Sequence, residues 1–425
     1  MQFIDFFAGI GGFRKGMELA GHKCVGFCEF DKFATASYIS MHLLTQKQRE
    51  SLGKVPLKKR QKEILKEEYR NGEWYANDIR RVYARDIPRA DCWCFGFPCQ
   101  DISVAGKQIG FQGNRSSLFF RVMYLIGQLE EENKPTYLFI ENVKNLLNVN
   151  GGWDFARLLA EMDREGYDAE WQVLNSKDFG VPQNRERCFI IGHLRGRSTA
   201  KVFPVEGTDG ENSVQIVGHK DGYRRNTQVF APEALDTGQG GERGHHVTLP
   251  CFIDLCYEGS QMTEQARCLK ARYYKGMANH AGQDSGIAIP VLTPDRAEKR
   301  QNGRRFKDDG EPMFTLTGQD RHGIAIEVKE ATAKTLDTSC NQGIFVQVSD
   351  ELIVYAVWYE KLQCYIAIRK LTPKECFRLQ GWADDYFEKA AFVNSDSQLY
   401  KQAGNGVTVN VIFDIAKKLK EGVKD

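Results

Sequence analysis

The sequence predicts an α/β protein: a doubly wound, mostly parallel sheet with helices on both faces, joined to a second, smaller β-rich domain. Three observations predict it. Short apolar runs alternate with segments of helical spacing through the first half of the chain. The first apolar run ends in a cluster of glycines, at the strand end where such sheets bind ligands. Past about residue 196 the texture changes to short strands separated by loops rich in Gly, Thr, Asp and Gln.

The elements follow in order. "MQFIDFFAG" is a short apolar strand, and "GGFRKGMELAG" opens a helix closed by Gly21. "KCVGFCEF" is a second strand, followed by the helical "DKFATASYISMHLL". Residues 43–75 are dense in charge and read as an exposed helical insertion, with a solvated face as its expected role. "ADCWCFGF", "TYLFIENV" and "ERCFIIGHL" are further strands. "SSLFFRVMYLIGQLEEE" and "GWDFARLLAEMDREGY" have helical spacing. Between 196 and 360 a degenerate repeat appears in "ALDTGQGGERGHHV", "CLKARYYKGMANHAGQDSGIAI", "FTLTGQDRHGIAI" and "KTLDTSCNQGIFV", each read as a hairpin-like unit. "RKLTPKECFRLQGWADDYF" holds a short helix capped at Thr372 with Pro373 in its first turn. "YKQAGNGVTVNVIFDIAKKLK" closes with an amphipathic helix.

The bulk numbers bound the class. The chain has 425 residues, enough for a large core and a second unit. Hydrophobic residues make up 42% and charged residues 27%, the balance of a globular protein in water. A formal charge of +2 argues neither for nor against nucleic acid, because a basic face can hide in a balanced total. No apolar run reaches the length of a membrane span, and "MQFIDFFAGIGGFRKG" lacks the form of a signal peptide, so a cytoplasmic protein without membrane contact is expected. The 12 cysteines form no paired C-x-x-C knuckles, so no metal is expected. Cys24, Cys28, Cys188 and Cys364 read as buried hydrophobes.

Five stretches could carry chemistry. In "DFFAGIGG", Gly9, Gly11 and Gly12 let a ligand approach the backbone, and Glu29 follows 20 residues after Gly9 at the second strand's end, placed to accept two ribose hydroxyls. That pattern fits a nicotinamide, a flavin or S-adenosylmethionine, with a structural glycine turn as the bland alternative, and its departure from G-x-G-x-x-G does not favour a pyrophosphate. Asp78 and Ile79 in "NDI" are candidates to hold an adenine. In "CFGFPCQ", Pro98 pushes the preceding residue to extended geometry, so the chain leaves the sheet with Cys99 at the root of a polar, glycine-dotted loop containing Lys107 and Arg115. A thiol there, beside cationic residues, is a candidate nucleophile. Glu141 ends the apolar run "FIENV", where a carboxylate is costly unless it has a task or a partner. Arg185 and Arg187 in "QNRER" lie two apart and share a face if that run is extended.

"DFFAGIGGF", "GFPCQ", "ENV", "QNRER" and "QAGNGVTVNV", in this order, resemble the ordered motifs of the DNA (cytosine-5) methyltransferases of bacterial type. The resemblance covers about 1–42, 76–195 and 366–425. It implies a Rossmann-like, S-adenosylmethionine-dependent methyltransferase fold, and transfer of a methyl group to C5 of a cytosine flipped out of double-stranded DNA. It also implies that Cys99 bonds covalently to C6, Glu141 holds the base, and Arg187 with Arg185 steadies it. Phe7, Gly9, Gly11, Gly12, Glu29, Phe30, Asp78, Ile79, Pro98, Leu118, Asn405 and Val407 would hold S-adenosylmethionine. DNA contacts are expected from Gln100, Ser103, Lys107 and Arg115 in the loop after Cys99, and from Arg224, Arg225, Arg243, Arg272 and Arg321 in the variable region. The expected organisation is a catalytic domain of 1–195 plus 399–425, a target-recognition domain of 196–365 and a connecting segment of 366–398. A monomer, with a cognate restriction endonuclease as genetic partner, is the expected context. The competing readings are a tRNA-directed relative, a DNA-binding protein that has lost the reaction, and a nicotinamide oxidoreductase.

Overall fold

The computed structural model describes residues 1–97, 117–207 and 372–421, and between them the strand segments 235–236, 246–247, 252–255, 261–263, 266–269, 284–292, 322–324, 343–349, 352–359 and 364–370. The chain divides into two units. The first comprises 1–181, 185–211 and 380–425, and the second 182–184 and 212–379. The first unit takes in 380–398, which the sequence reading assigned to a connecting segment.

In the first unit, β1 (Gln2–Phe6), α1 (Gly12–Leu19), β2 (Lys23–Cys28), α2 (Lys32–His42), α3 (Gln46–Gly53), α4 (Leu57–Glu63), β3 (Trp74–Ala76) and β4 (Cys92–Gly96) precede α5 (Ser117–Gly127). Then come β5 (Tyr137–Val143), α6 (Trp153–Arg164) and β6 (Tyr167–Asn175). The two-residue β7 (Gln183–Asn184) belongs to the second unit, and β8 (Glu186–Leu194) returns to the first. The sheet order is β3-β2-β1-β4-β5-β8-β6. The first five strands run parallel, and β8 lies antiparallel between β5 and β6. The sheet is thus mostly parallel, as expected, with one reversed strand.

Side-chain alternation explains why both faces are covered. In β1, β4 and β5, the residues Ile4, Phe6, Trp93, Phe95, Leu138 and Ile140 enter one core with Phe119, Val122 and Ile126 of α5 and Leu158 and Met162 of α6. The intervening Phe3, Cys92, Cys94, Tyr137 and Phe139 enter a second core with Phe13 and Met17 of α1 and with Ile412 and Ile415 near the chain's end. A strand buried on both faces is apolar nearly throughout, which is why these runs carry no clean polar alternation; Asp5 in β1 is a buried exception. The order of connections reverses between β1 and β4, so the crevice at their carboxyl ends is the place where this architecture binds ligands.

The insertion over 43–75 is helical over α3, α4 and a 3₁₀ turn at Glu67–Arg70, as expected, but its last residues, Trp74 and Tyr75, belong to the sheet strand β3; α3 and α4 bury only Leu52. It joins the end of α2 to the start of β3, the sheet edge opposite the carboxyl ends. Arg60 fastens it by donating to the carbonyls of Leu52, Val55 and Phe392.

The second unit is β-rich: besides β9 (Leu235–Asp236) and β10 (His246–Val247), it holds β13 (Ala266–Arg267), parallel to β7. A seven-stranded sheet of order β12-β11-β14-β15-β18-β17-β16 contains β11 (Phe252–Leu255), β12 (Gln261–Thr263), β14 (Asp284–Leu292), β15 (His322–Ile324), β16 (Gly343–Ser349), β17 (Leu352–Tyr359) and β18 (Cys364–Lys370). All pairs are antiparallel except β15 with β18. Leu235–Asp236 and His246–Val247 pair as a small hairpin, so the first of the four repeat units forms as expected. In the other three units the described strands are β14, β15 and β16: β14 pairs with β11, β15 and β18, and β16 pairs with β17, each a strand from outside its own unit, while the rest of the expected hairpins lies outside the described residues.

Toward the C-terminus, α7 (Pro373–Arg378) starts at Thr372 with a reciprocal capping box to Glu375 and proline in the first turn, as read from the sequence. It is followed by α8 (Asp384–Ala391), α9 (Asp396–Asn405) and α10 (Val409–Glu421). Among the described residues no helix is long and apolar enough to cross a membrane.

Candidate active site

A cavity of about 750 Å³ opens at the carboxyl ends of β1 to β5. Its size falls within the usual range for small-molecule sites. One end is built on two backbone turns. Phe7 and Gly9 have positive φ (55° and 56°), bending the chain sharply after β1. The Gly9 N–H then donates to Glu29 Oε2 at 2.7 Å, and the Asp31 N–H donates to Glu29 Oε1 at 2.7 Å. Both oxygens are fixed by backbone and keep further lone pairs for a ligand's hydroxyls. Burial pushes the Glu29 carboxyl above its ordinary range, against the pull of those backbone donors.

Next to Glu29, Phe30 is 71% exposed, with the Arg80 guanidinium 5.7 Å from its ring centroid. An exposed aromatic ring at a cavity wall offers a stacking surface. Asp78 caps a short 3₁₀ turn and accepts from the Arg80 backbone N–H and guanidinium. The Arg80 hydrogen bond holds its carboxyl below the ordinary range. Ile79 is buried beside it, and Leu118 and Asn405 complete this part of the lining.

The other end is acidic and basic at once. Glu141 on β5 is opposite Gly96 of β4 in register, and a Cβ on Gly96 would stand 3.1 Å from Glu141 Oε2. Glycine there gives the carboxylate its room. Arg187, opposite Val143 on β8, places its Nε 3.0 Å from Glu141 Oε1, and both side chains are largely buried. Arg185 lies in the same lining but turns to backbone: its Nη2 donates to the Gly406 carbonyl at 2.7 Å. The two arginines therefore have different tasks. Arg187 faces the carboxylate, while Arg185, 3% exposed, braces the turn at Gly404–Gly406. Asn142 donates to the Phe97 carbonyl at 3.1 Å, fixing the point from which the chain runs on to Pro98 and Cys99.

Of the sequence candidates, Phe7, Gly9, Glu29, Phe30, Asp78, Ile79, Leu118, Glu141, Arg185, Arg187 and Asn405 converge on this cavity. Gly11, Gly12 and Val407 do not line it. Their spacing served packing instead: a Cβ on Gly11 would collide with the His42 ring, and one on Gly12 would stand 2.6 Å from Val407 Cγ2. Pro98, Cys99, Gln100, Ser103, Lys107, Arg115, Arg224, Arg225, Arg243, Arg272 and Arg321 lie outside the described residues. The sequence reading missed Asp31, Arg80, Asn142, Lys401 and Gln402 in the lining. For Asn142 its place beside Glu141 was a usable signal.

A family model described as C-5 cytosine-specific DNA methylase matches residues 1–54 and 39–421. The orphan methyltransferase M.SPRI of Bacillus phage SPR is 28% identical, over 99% of this chain and 97% of that protein. The type II methyltransferase M.HhaI of Haemophilus parahaemolyticus is 28% identical, over 98% of this chain and 93% of that protein. The type II methyltransferase M.HpaII of Haemophilus parainfluenzae is 29% identical, over 99% and 89%. Among solved structures, the S. pombe Dnmt2 methyltransferase aligns over the whole of both chains with a TM-score of 0.50 at 15% identity, a likeness of fold.

Proposed function

We propose a mechanism that proceeds from the family to which this chain belongs, the C-5 cytosine-specific DNA methylases: the protein is a DNA (cytosine-5)-methyltransferase acting on double-stranded DNA. The finer reading is that the methyl donor is S-adenosylmethionine, that the cytosine is flipped out of the duplex, and that Cys99 forms a covalent adduct with it. The observation that carries this reading is one cavity with a backbone-held carboxylate, Glu29, at one end and the buried Glu141–Arg187 pair at the other.

The residues fit the donor. Glu29 would accept from both ribose hydroxyls, Phe30 would stack on the adenine, and Asp78 with Ile79 would border it. Phe7, Leu118 and Asn405 would enclose the remainder. When bound, S-adenosylmethionine supplies an electrophilic methyl group on a sulfonium.

The chain's own residues then act on the base. C5 of cytosine is a poor nucleophile. Addition of the Cys99 thiolate to C6 makes an enamine, which gives C5 the electron density to take the methyl. Glu141 would hydrogen-bond N3 and the exocyclic amine, stabilising the ring as electrons move into it. Arg187 would hold Glu141 in place and reach O2. Loss of the C5 proton to a base then re-forms the double bond and expels the thiolate. Extruding the base costs a few kcal/mol of stacking and pairing. Gln100, Ser103, Lys107 and Arg115 are proposed to stabilise the opened duplex, and the second unit, through Arg224, Arg225, Arg243, Arg272 and Arg321, to read sequence. The protein is further proposed to act as a cytoplasmic monomer, with a cognate restriction endonuclease as genetic partner.

Incubation with donor labelled in its methyl group is expected to label duplex DNA at C5 of cytosine and to leave tRNA unlabelled; label in tRNA alone would refute the reading. A second expectation concerns pH. The Glu29 carboxyl titrates above its ordinary range, and its ionised form accepts the ribose hydroxyls. Affinity for S-adenosylhomocysteine, measured by calorimetry, is therefore full above that raised pKa. It falls as pH drops through it, at a higher pH than the ~4.3 of a free glutamate would give. In Glu29→Gln this dependence should vanish.

A further inference from the structure

We propose that Lys401 is a positioning residue for the donor's ribose, acting through Asp31 on Glu29; the inference rests on the reading that Glu29 takes the ribose hydroxyls. Lys401 sits on α9, and its Nζ lies 2.6 Å from Asp31 Oδ2 at the cavity's rim. Asp31 has three tasks at once. Its Oδ1 accepts from the Phe33 N–H and caps α2, its Oδ2 takes Lys401, and its own N–H holds Glu29 Oε1. The lysine thus fixes the peptide that fixes one oxygen of the carboxylate, while Gly9 fixes the other.

The neighbouring residues make this a rigid junction. Gln402 donates to the Phe33 carbonyl and accepts from Ser37, and Asn394 donates to the same two groups. α9 is therefore seated on the first turns of α2 by buried hydrogen bonds, and Lys401 projects from that seat to the rim. Burial would raise the Asp31 carboxyl, but the Lys401 hydrogen bond and the Phe33 N–H outweigh it and hold it below the ordinary range, so Asp31 stays ionised toward the lysine. The pair is partly exposed, with side chains 42% and 30% accessible. Such a pair adds little to global stability. Its consequence is local: loss of the lysine lets the Asp31 peptide drift and the Glu29 oxygen with it.

The test is calorimetric binding of S-adenosylhomocysteine, and of an analogue lacking both ribose hydroxyls, to the full-length protein and to Lys401→Met, Lys401→Arg and Glu29→Gln. Lys401→Met is expected to bind S-adenosylhomocysteine about fivefold more weakly, the upper range for a partly exposed pair. Lys401→Arg should restore most of the loss. Against the dihydroxy-lacking analogue, Lys401→Met and the parent should bind alike. Equal weakening for both ligands would overturn the proposal, because it would place Lys401 on another part of the donor; so would unchanged binding in Lys401→Met. If Glu29→Gln itself binds S-adenosylhomocysteine like the parent, the ribose assignment falls first and this inference with it.

Discussion

Cys99→Ser is expected to lower methylation by on the order of 10³-fold or more, with DNA affinity retained. A serine hydroxyl is almost fully protonated near neutral pH and is a far weaker nucleophile toward C6 than a thiolate. Four other described thiols are unsuited to replace it. Burial pushes Cys24 and Cys188 up to about 12, and holds the Cys28 and Cys94 thiols above their ordinary range as well. Buried thiols kept protonated are inert packing groups. The activity of Cys99→Ser, measured by label transfer beside a gel-shift measurement of DNA binding, separates chemistry from recognition. Loss of both together would assign Cys99 to the structure of the loop and not to the reaction.

Glu141→Gln is expected to reduce kcat by about 10²- to 10⁴-fold, the usual range for a positioned acid or base, with a much smaller change in KM for DNA. Glutamine keeps the shape and one acceptor, so the base can still be bound. Its amide can donate to N3 and accept from the amine, but it cannot pass a proton to N3 as electrons enter the ring. The substitution also removes the carboxylate facing Arg187, and two largely buried partners at 3.0 Å do not lose one member without cost. A lower melting temperature is therefore expected beside the kinetic loss. Calorimetric binding of S-adenosylhomocysteine at the far end of the cavity should be close to that of the parent, which shows the fold intact. A kcat within a few fold of the parent would remove Glu141 from the chemistry.

Much of the fold could be read from residue order because local signals and the tertiary solution agree. The apolar runs of β1, β4 and β5 cannot be amphipathic, since Phe3 and Ile4 serve opposite cores. That continuous pattern is what a two-faced sheet writes into a sequence. The sequence reading missed β6, although Asp168, Glu170 and Gln172 alternate there with Tyr167, Ala169, Trp171 and Val173 at the period of a half-covered strand. The structure explains their presence: Glu170 and Gln172 accept from the backbone N–H groups of Val202, Phe203 and Val205. A strand at the sheet's margin can use side-chain acceptors on one face to hold a following segment.

The site divides in the same way. Glu29 was legible from its place 20 residues after Gly9 at a strand's end, and Glu141 because a carboxylate ending an apolar run is costly without a task or a partner. Gly11 and Gly12 were legible as glycines needing space, but not as space for His42 and Val407, because those contacts depend on how α2 and the C-terminal segment pack. Arg185 and Arg187 looked equivalent by spacing, yet one faces a carboxylate and the other braces carbonyls 219 and 221 residues away. The Asp31–Lys401 pair spans 370 residues and had no local signature at all.

The central claim is a transient bond between the Cys99 sulfur and C6 of an extruded cytosine. A duplex carrying 5-fluorocytosine at the target, incubated with protein and S-adenosylmethionine, tests it most directly, because fluorine at C5 cannot leave as a proton does. Intact-mass analysis followed by peptide mapping is expected to find protein joined to methylated DNA through Cys99, and none in Cys99→Ser. A protein that methylates ordinary duplex at full rate yet leaves no adduct on the fluorinated one, or an adduct mapped to another residue, would contradict the account.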